Sequence, residues 1–233
     1  MPCTLPASLA DAAVCRGSFH AVLGEEAGEA VFADFSAALQ KAQAEGRILT
    51  ASLFRYENQL FFYAEGLNRP FTPQGLCPAL DAALLPWPPA LGETAPRPWA
   101  AMQPYFYHDV PTTAADWQQG RCPQRRRGRI ALLPPDKWCS YMEHHLRIVT
   151  EGLVEGDRWH LICVQEGVLF SYLEEPRTNV NIRHKPGAHS PELDAWIAAD
   201  PESHFARFTP EQKAHPDSGH NFVFLPRIAG TED

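Results

Sequence analysis

Tyr141 and His145 are the residues of this sequence whose types and spacing best suit proton-transfer chemistry. They lie four residues apart in a stretch whose pattern predicts a helix over 136–153, so both side chains project from one face, one turn apart. An unperturbed histidine titrates near pH ~6.5, which suits a proton donor or acceptor at neutral pH. The competing interpretation is that His144 or His145 is an ordinary surface or core residue, since sequence fixes neither burial nor partners.

Metal binding is a second chemical interpretation, because histidines are frequent in the second half of the chain: His144, His145, His184, His189, His204, His215 and His220, with Glu143 among them. No HExxH or comparable fixed spacing is present, although His184 and His189 share one predicted loop with a possible approach to His145. The metal-free interpretation is favoured. GxGxxG, P-loop and GxSxG patterns are absent, so neither a nucleotide cofactor nor a serine nucleophile is supported, and no cofactor is expected.

The elements that must position these residues occur twice. An apolar strand at 18–23, an amphipathic helix at 29–44 that ends before Gly46, and a hairpin of strands at 48–54 and 59–64 form the first copy. A strand at 130–133, the helix at 136–153 and a hairpin of strands at 159–165 and 168–173 repeat that order. A short helix near 76–85 and a strand at 103–108 complete the first copy; a helix from 190 and a strand at 220–225 complete the second. Such a repeat predicts two copies of one folding unit.

Each copy therefore reads β-α-β-β-α-β, the ferredoxin-like pattern of an antiparallel sheet with helices on one face. The predicted fold class is α+β: two tandem ferredoxin-like units that pack sheet to sheet as an intrachain dimeric α/β barrel. The predicted boundaries are a first unit at 1–115, a linker at 116–128 and a second unit at 129–233. The basic run Arg125 to Arg127 is interpreted mainly as a solvated part of that linker, with the binding of an anionic ligand as the alternative.

The first copy is predicted to be non-catalytic. In the alignment of the two copies by sequence, Ala30 and Asp34 stand where the second copy has Tyr141 and His145. Without a matched pair of titratable groups, the first copy would serve only to complete the barrel.

Composition limits the functions that remain. A formal net charge of -8 gives no general reason to expect a nucleic-acid partner. The six cysteines form no CxxC pair, and no leader-like or long apolar segment is present, so the cytoplasm is the expected location and no membrane partner is expected. The expected partner is a small, sugar-like molecule, and a homodimer of the duplicated chain is possible.

The second copy resembles the L-rhamnose mutarotase family. The resemblance runs from the strand at 130–133 through Pro135-Asp136 to Tyr141 and His145. It continues in the aromatic helical region at 193–205 and in the polar loop at 215–217, so it covers about half of the chain. It implies a cofactor-free isomerase that interconverts the anomers of a monosaccharide, with His145 as the proton shuttle and Tyr141 as its partner or second acid. The resemblance also implies substrate-binding roles for four further residues, His144, Trp196, Phe205 and His215.

A different functional class remains open, because the same fold also hosts non-enzymatic small-molecule-binding proteins, stress-response proteins and cofactor-independent monooxygenases. The surroundings of Tyr141 and His145 discriminate between the classes. A polar, sugar-sized pocket would favour the mutarotase, whereas apolar surroundings would favour an oxygenase or a binding protein, and a solid core would leave a structural role.

Overall fold

The structure is a computed structural model that describes residues 6–24, 28–177, 179, 182–213 and 218–231. The chain divides into two compact units. Unit 1 falls within Met1–Met102, Pro111–Pro123 and Pro226–Asp233, and unit 2 within Gln103–Val110 and Gln124–Leu225. Each unit is built on an antiparallel sheet with a long helix, which confirms the α+β class and its ferredoxin-like units. No helix of the described ranges is both long and apolar enough to cross a bilayer.

Unit 1 contains a sheet with strand order β13-β2-β3-β1-β4, in which β5 also pairs with β1. Its elements are β1 (Val14–Leu23), α1 (Glu29–Ala44), β2 (Ile48–Tyr56), β3 (Gln59–Leu67), α2 (Pro78–Ala83), β4 (Leu84–Leu85), β5 (Ala100–Ala101), α3 (Ala114–Gln118) and β13 (Arg227–Gly230), after a short 3₁₀ turn at Ala7–Leu9.

Helix α1 covers one face of this sheet because its apolar residues recur every three or four positions, which gives a continuous stripe. Phe35 packs edge-on to Phe62 at 5.7 Å between ring centroids and is stacked with Trp99 at 6.3 Å. Leu39 lies below them with no exposed surface. Gly46, at a φ of +69°, reverses the chain directly after the helix, a conformation that favours glycine. The core of unit 1 beneath α1 is therefore apolar.

The other face of the β3 strand carries a buried carboxylate. Glu65 is fully buried and accepts hydrogen bonds from Tyr63 (2.7 Å), from the indole of Trp117 (3.0 Å) and from both terminal nitrogens of Arg121 (2.7 and 3.0 Å). Burial acts to raise the pKa of the Glu65 carboxyl, but the Arg121 charge and these hydrogen bonds hold the pKa below its ordinary value. The bonds fasten the segment that contains α3 to the sheet of unit 1.

Unit 2 contains a sheet of order β12-β7-β10-β9-β6 and a small separate pair, β11 with β8. Its elements are β6 (Gln103–Phe106), β7 (Arg125–Leu132), α4 (Pro135–Glu151), β8 (Val154–Glu155), β9 (Leu161–Gln165), β10 (Val168–Glu175), β11 (Arg183–His184), α5 (Pro191–Ala198) and β12 (Val223–Leu225), with 3₁₀ turns at Pro201–His204 and Pro210–Gln212.

The last strands of the two units differ from the predicted boundaries. Strand β6, predicted to close the first copy, pairs with β9 in the sheet of unit 2. Strand β13 was not predicted, and it pairs with β2 in unit 1, where the Thr231 hydroxyl also accepts from the Ala51 amide at 3.1 Å. The ranges 1–115 and 129–233 therefore do not delimit the compact units, because the sheet partners of β6 and β13 are remote in sequence.

The predicted linker at 116–128 is also different. Residues 114–118 form α3, and the basic run from Arg125 begins strand β7. Arg126 lies opposite Glu174 in the β7–β10 ladder, and Arg127 forms an ion pair with Glu175 at 2.9 Å and stacks on Phe224 at 3.7 Å. The charges of this run are paired across the sheet, so the interpretation as a solvated linker is wrong.

The ladders of the two units place the same motif at the same point. In unit 1 Arg16 lies opposite Glu65, and in unit 2 Arg126 lies opposite Glu174. Each glutamate accepts a hydrogen bond from a tyrosine two residues earlier, at 2.7 Å in unit 1 and 2.6 Å in unit 2. The strands of the two units can therefore be aligned by structure.

The helices α1 and α4 correspond through the residues that each buries against its sheet, and this correspondence differs from the one given by the sequence alignment. The buried residues with the shared spacing are Phe35, Leu39 and Ala42 in α1, and Tyr141, His145 and Ile148 in α4. Leu39 thus corresponds to His145 and Phe35 to Tyr141.

The predicted correspondence of Ala30 and Asp34 with the site pair is wrong. Both residues are exposed on α1, on the side away from the sheet. The connection between strand and helix spans 24–28 in unit 1 but only 133–134 in unit 2, so an alignment that extends the strands into the helices loses register. The conclusion that unit 1 lacks the Tyr and His pair is unaffected.

Candidate active site

His145 lies on α4 at the centre of an aromatic group in unit 2. The helix begins after Pro134 with Pro135 in its first turn, where a missing amide hydrogen has no cost. The imidazole is 5% exposed and lies 4.2 Å from the ring of Tyr141, 4.7 Å from Phe106 and 4.7 Å from Trp196, centroid to centroid. Aromatic rings therefore surround this histidine, and one of these three, Tyr141, also carries a hydroxyl.

One nitrogen of His145 has a defined role. Its Nδ1 lies 2.9 Å from the backbone carbonyl oxygen of Tyr141. A carbonyl only accepts, so Nδ1 carries the hydrogen and Nε2 carries the lone pair. No hydrogen-bond partner of Nε2 lies among the described residues. Burial lowers the pKa of His145 to about 4 despite the opposing carbonyl bond, so the ring is neutral at pH 7 and Nε2 is available as a base.

Two phenols accompany this base. Burial raises the pKa of Tyr141 to about 12, although Tyr105 and the charge of Arg129 act in the opposite direction. Burial also raises the pKa of Tyr105 well above its ordinary value, and the neighbouring Tyr141 raises it further. The two hydroxyls are close enough to interact electrostatically, yet the buried Tyr105 hydroxyl has no partner in hydrogen-bond geometry within the described part of the chain. Both phenols are protonated at neutral pH and are hydrogen-bond donors.

Arg129 brings a positive charge to the same phenols from strand β7. Burial, and then the charge of Arg177, lower its pKa to about 10, so the guanidinium remains charged at neutral pH. Its interactions with Tyr105 and Tyr141 act to keep it charged, and it stacks on Phe222 at 4.3 Å. Its Nε is buried without a partner within the described ranges. An unpartnered buried donor costs about 1–3 kcal/mol, so a ligand that accepts from it would be stabilised.

A fourth polar atom without a partner belongs to Asn221. Its side-chain nitrogen donates to the carboxylate of Glu202, while its buried carbonyl oxygen has no partner among residues that the structure describes. Glu202 also interacts electrostatically with Arg129 and Tyr141. Arg129 on β7, Tyr105 on β6, Tyr141 on α4 and the Asn221 amide therefore belong to one connected polar group in unit 2.

Most of the predicted site residues lie close together in unit 2. Tyr141 lies 5.4 Å from Trp196 and 5.3 Å from Phe205, and His144 lies 5.3 Å from Trp196, all as ring-centroid distances. The structure thus brings Tyr141, His145, His144, Trp196 and Phe205 into one cluster. His215 lies outside the described residues. The roles assigned to these residues in catalysis and substrate binding remain predictions.

Sequence reasoning missed Tyr105, Phe106, Arg129 and Asn221. Tyr105 and Phe106 were in a predicted strand, but that strand was assigned to the first copy. Arg129 follows the basic run closely in the sequence, but it stands inside an apolar strand, where a charged residue usually has a specific partner. The sequence alone could therefore indicate that Arg129 is buried. It could not show that these four residues lie close together.

The histidines considered as metal ligands do not form a metal site among the described residues. His184 and His189 are stacked on each other at 5.8 Å, and His189 pairs with Asp194 at 3.0 Å. Within the described ranges, no group of three His, Cys, Asp or Glu side chains has the arrangement of a metal site.

Comparison with known proteins adds likenesses of fold only. No family model and no curated protein matches the chain. A protein from Lactobacillus acidophilus NCFM described as a candidate monooxygenase superposes with a TM-score of 0.41 at 7% identity, over 94% of this chain and 96% of that one. A second candidate monooxygenase, from Fusobacterium nucleatum subsp. nucleatum, gives 0.39 at 8% identity, over 94% of both chains. An anthrone oxidase-like protein gives 0.38 at 8% identity, over 92% of both chains. At these scores the likenesses carry no argument about function, which must come from the geometry of unit 2.

Proposed function

We propose that unit 2 is the active part of a cofactor-independent monooxygenase-like protein that acts on a planar aromatic phenol or an enolisable aryl ketone. The observation that carries the proposal is the neutral His145 with its free Nε2, enclosed by aromatic rings and accompanied by the Tyr105, Tyr141 and Arg129 donors. Contact with these aromatic rings would favour a flat apolar ligand, and the donors would favour an oxygen atom on its edge.

The first step is proton abstraction. His145 Nε2 removes a proton from the substrate, and the oxyanion that results accepts hydrogen bonds from the phenols and the guanidinium. A positioned base contributes roughly 10²–10⁴-fold to such a step. Each oxyanion donor contributes about 10²–10³-fold, more in a site from which water is excluded. The low pKa of His145 keeps the imidazole deprotonated at neutral pH but also makes Nε2 a weaker base, so the step relies on the donors that stabilise the oxyanion.

The second step consumes molecular oxygen. The electron-rich anion reduces O₂ and forms a carbon–oxygen bond, and loss of water leaves a carbonyl, so that R₂CH₂ and O₂ give R₂C=O and H₂O. One oxygen atom enters the product and the other leaves as water. The proton held by His145 returns to the departing oxygen, which regenerates the neutral imidazole.

The test is oxygen uptake with a panel of anthrones, naphthols and hydroquinones. We expect substrate-dependent consumption of O₂ and a product that contains one atom of ¹⁸O from ¹⁸O₂, measured by mass spectrometry. His145→Gln should remove the activity. His189→Gln, which changes an exposed histidine outside the His145 cluster, should retain it. Ligand binding without uptake of O₂ would identify a binding protein instead and would overturn the oxygenase proposal.

A mutarotase is the second candidate. It is favoured by one observation, the contact between Tyr141 and His145, which places a protonated phenol beside a neutral base at 4.2 Å between ring centroids. Such a pair could deprotonate the anomeric hydroxyl and protonate the ring oxygen of a monosaccharide such as L-rhamnose. The apolar rings around the pair argue against it. NMR saturation transfer between the anomers of several sugars is the test, and no acceleration for any sugar would eliminate this candidate.

A further inference from the structure

We propose that Ser140 is a nucleophile that His204 activates, and that it accepts the acyl group of activated esters. The sequence has no GxSxG pattern, so motifs give no indication of this group. The proposal does not depend on the oxygenase function, because neither residue supplies the base or the donors of the His145 cluster.

The geometry is that of a hydroxyl, an imidazole and an orienting oxygen. Ser140 Oγ lies 3.2 Å from His204 Nε2, and His204 Nδ1 lies 3.3 Å from the backbone carbonyl oxygen of Asp200. The carbonyl only accepts, so Nδ1 carries the hydrogen. His204 Nε2 therefore holds a lone pair, and the Ser140 hydroxyl donates to it. A base that is itself oriented by a third group is the arrangement that activates a serine nucleophile.

His204 is buried and Ser140 is exposed, which suits a fixed base and an accessible nucleophile. His204 is 4% exposed and is fixed by the rings of Trp196 at 5.0 Å and Tyr141 at 6.0 Å. Its backbone is held at the end of the 3₁₀ turn Pro201–His204. Ser140 is exposed on α4, so an ester can reach its oxygen. A rigid buried base thus supports an accessible hydroxyl.

The position of Ser140 also limits its reactivity. It is the sixth residue of α4, where the backbone amide is already bonded within the helix and cannot stabilise an oxyanion. Loss of one oxyanion donor typically costs ~10²–10³-fold in rate. We therefore assign the substrate class as esters with a good leaving group, such as aryl esters, because their acyl transfer depends least on stabilisation of the oxyanion.

The reaction balances without any other reagent. Ser140 Oγ attacks the carbonyl carbon of the ester while its proton moves to His204 Nε2. The bond from carbon to the leaving oxygen then breaks, and the proton of His204 passes to that oxygen, which releases a phenol and leaves an acylated Ser140. Water attacks this ester with the same proton relay and gives the free acid.

The experiment is a reaction of the full chain with p-nitrophenyl acetate. We expect a burst of p-nitrophenolate that approaches one equivalent, with one acetyl group added to the intact protein and mapped to Ser140 by peptide mass spectrometry. Ser140→Ala should abolish the burst. His204→Gln should slow the burst by roughly 10²-fold or more, the contribution of a general base.

The matched control is Ser203→Ala. Ser203 is an exposed serine whose hydroxyl donates to the same Asp200 carbonyl at 2.7 Å and, among the described residues, forms no hydrogen bond with an imidazole. This variant should retain the burst. Thermal unfolding of each variant checks that the fold is intact. An undiminished burst in Ser140→Ala, or acetylation only at lysines, would overturn the proposal.

Discussion

The two units of this chain differ most at the same helix face. Unit 1 fills the face with Phe35 and Leu39, whereas unit 2 has Tyr141 and His145 at the corresponding positions. The first pair packs as an apolar core and the second buries an imidazole and a hydroxyl, which costs stability unless they are bonded. The imidazole and the hydroxyl of unit 2 do not improve the stability of the fold. We therefore place the function in unit 2.

The largest expected effect is on activity. His145→Leu gives α4 the residue that α1 has at this point, removes the base and should lower kcat/KM for an oxidisable substrate by ~10²–10⁴-fold. The free energy of unfolding should stay the same or rise, because a buried polar group is replaced by an apolar one. Steady-state kinetics and urea unfolding measure the two effects, with His189→Gln as the control. Equal loss of activity and stability would indicate a structural role for His145.

The next effect concerns the buried carboxylate of unit 1. Arg121→Ala leaves Glu65 charged and without its cation, and breaking a buried pair in this way costs ~3–5 kcal/mol. The exposed Arg47, which pairs with Glu45 at 3.4 Å, provides the matched control. Arg47→Ala should change the free energy of unfolding by less than about 1 kcal/mol. Similar losses of unfolding free energy in both variants would show that the buried Glu65–Arg121 pair stabilises the fold no more than an exposed ion pair does.

The reciprocal exchange sharpens the comparison of the two helices. Leu39→His places an imidazole in the apolar core of unit 1, where it replaces a fully buried leucine. We expect a loss of about 3–4 kcal/mol in the free energy of unfolding from lost packing and an unpartnered polar group. Leu39→Met, which conserves volume, should cost less than about 1.5 kcal/mol. If Leu39→His were tolerated, the apolar nature of this core would not set the difference between the units.

Acid should affect unit 2 before unit 1. The folded pKa of His145 is about 4, below its ordinary 6.5, so the unfolded state binds more protons between these values and stability falls as pH falls from 6.5 to 4. The shift corresponds to about 3 kcal/mol, and His108, whose pKa burial also lowers to about 4, acts in the same direction. The depressed pKa of Glu65 stabilises unit 1 above the unfolded pKa of about 4.3, and this stability is lost as pH falls through the folded pKa.

Hydrogen exchange along a pH series measures this order directly. Amides of α4 should lose protection near pH 5 while those of α1 remain protected. In His145→Leu the loss in α4 should shift to lower pH. Simultaneous loss in both helices, unchanged by the substitution, would contradict the assignment of the pH dependence to His145.

Local patterns in the sequence predict local structure well in this chain. The helix predicted at 29–44 has those bounds, and both hairpins begin and end within a few residues of their predictions. The Tyr141 and His145 pair is predictable from helical spacing alone. These features depend on neighbours within a turn of helix or across a tight hairpin.

Features that depend on remote partners could not be predicted in this way. Strands β6 and β13 contain no signal that selects β9 or β2 as their partners, since the pairing follows from the sheets as a whole. The Arg126 charge looks solvated until the register places Glu174 opposite it. Tyr105 and Arg129 reach Tyr141 from β6 and β7, which are separated by two other strands in the sheet, so only the assembled sheet brings the cation and the phenols together.

The pairing of β13 with β2 has a consequence for how the chain is made. Ribosomes synthesise a chain from its N-terminus, and domains generally fold as they emerge. Unit 1 cannot do so completely, because its edge strand follows the whole of unit 2 in the sequence. During synthesis β2 presents an open edge until β13 arrives, and an open edge can pair with other chains. A nascent chain halted before residue 226 would therefore expose the unpaired edge of β2, which is prone to aggregation. Unit 1 would be completed last, although its synthesis begins first.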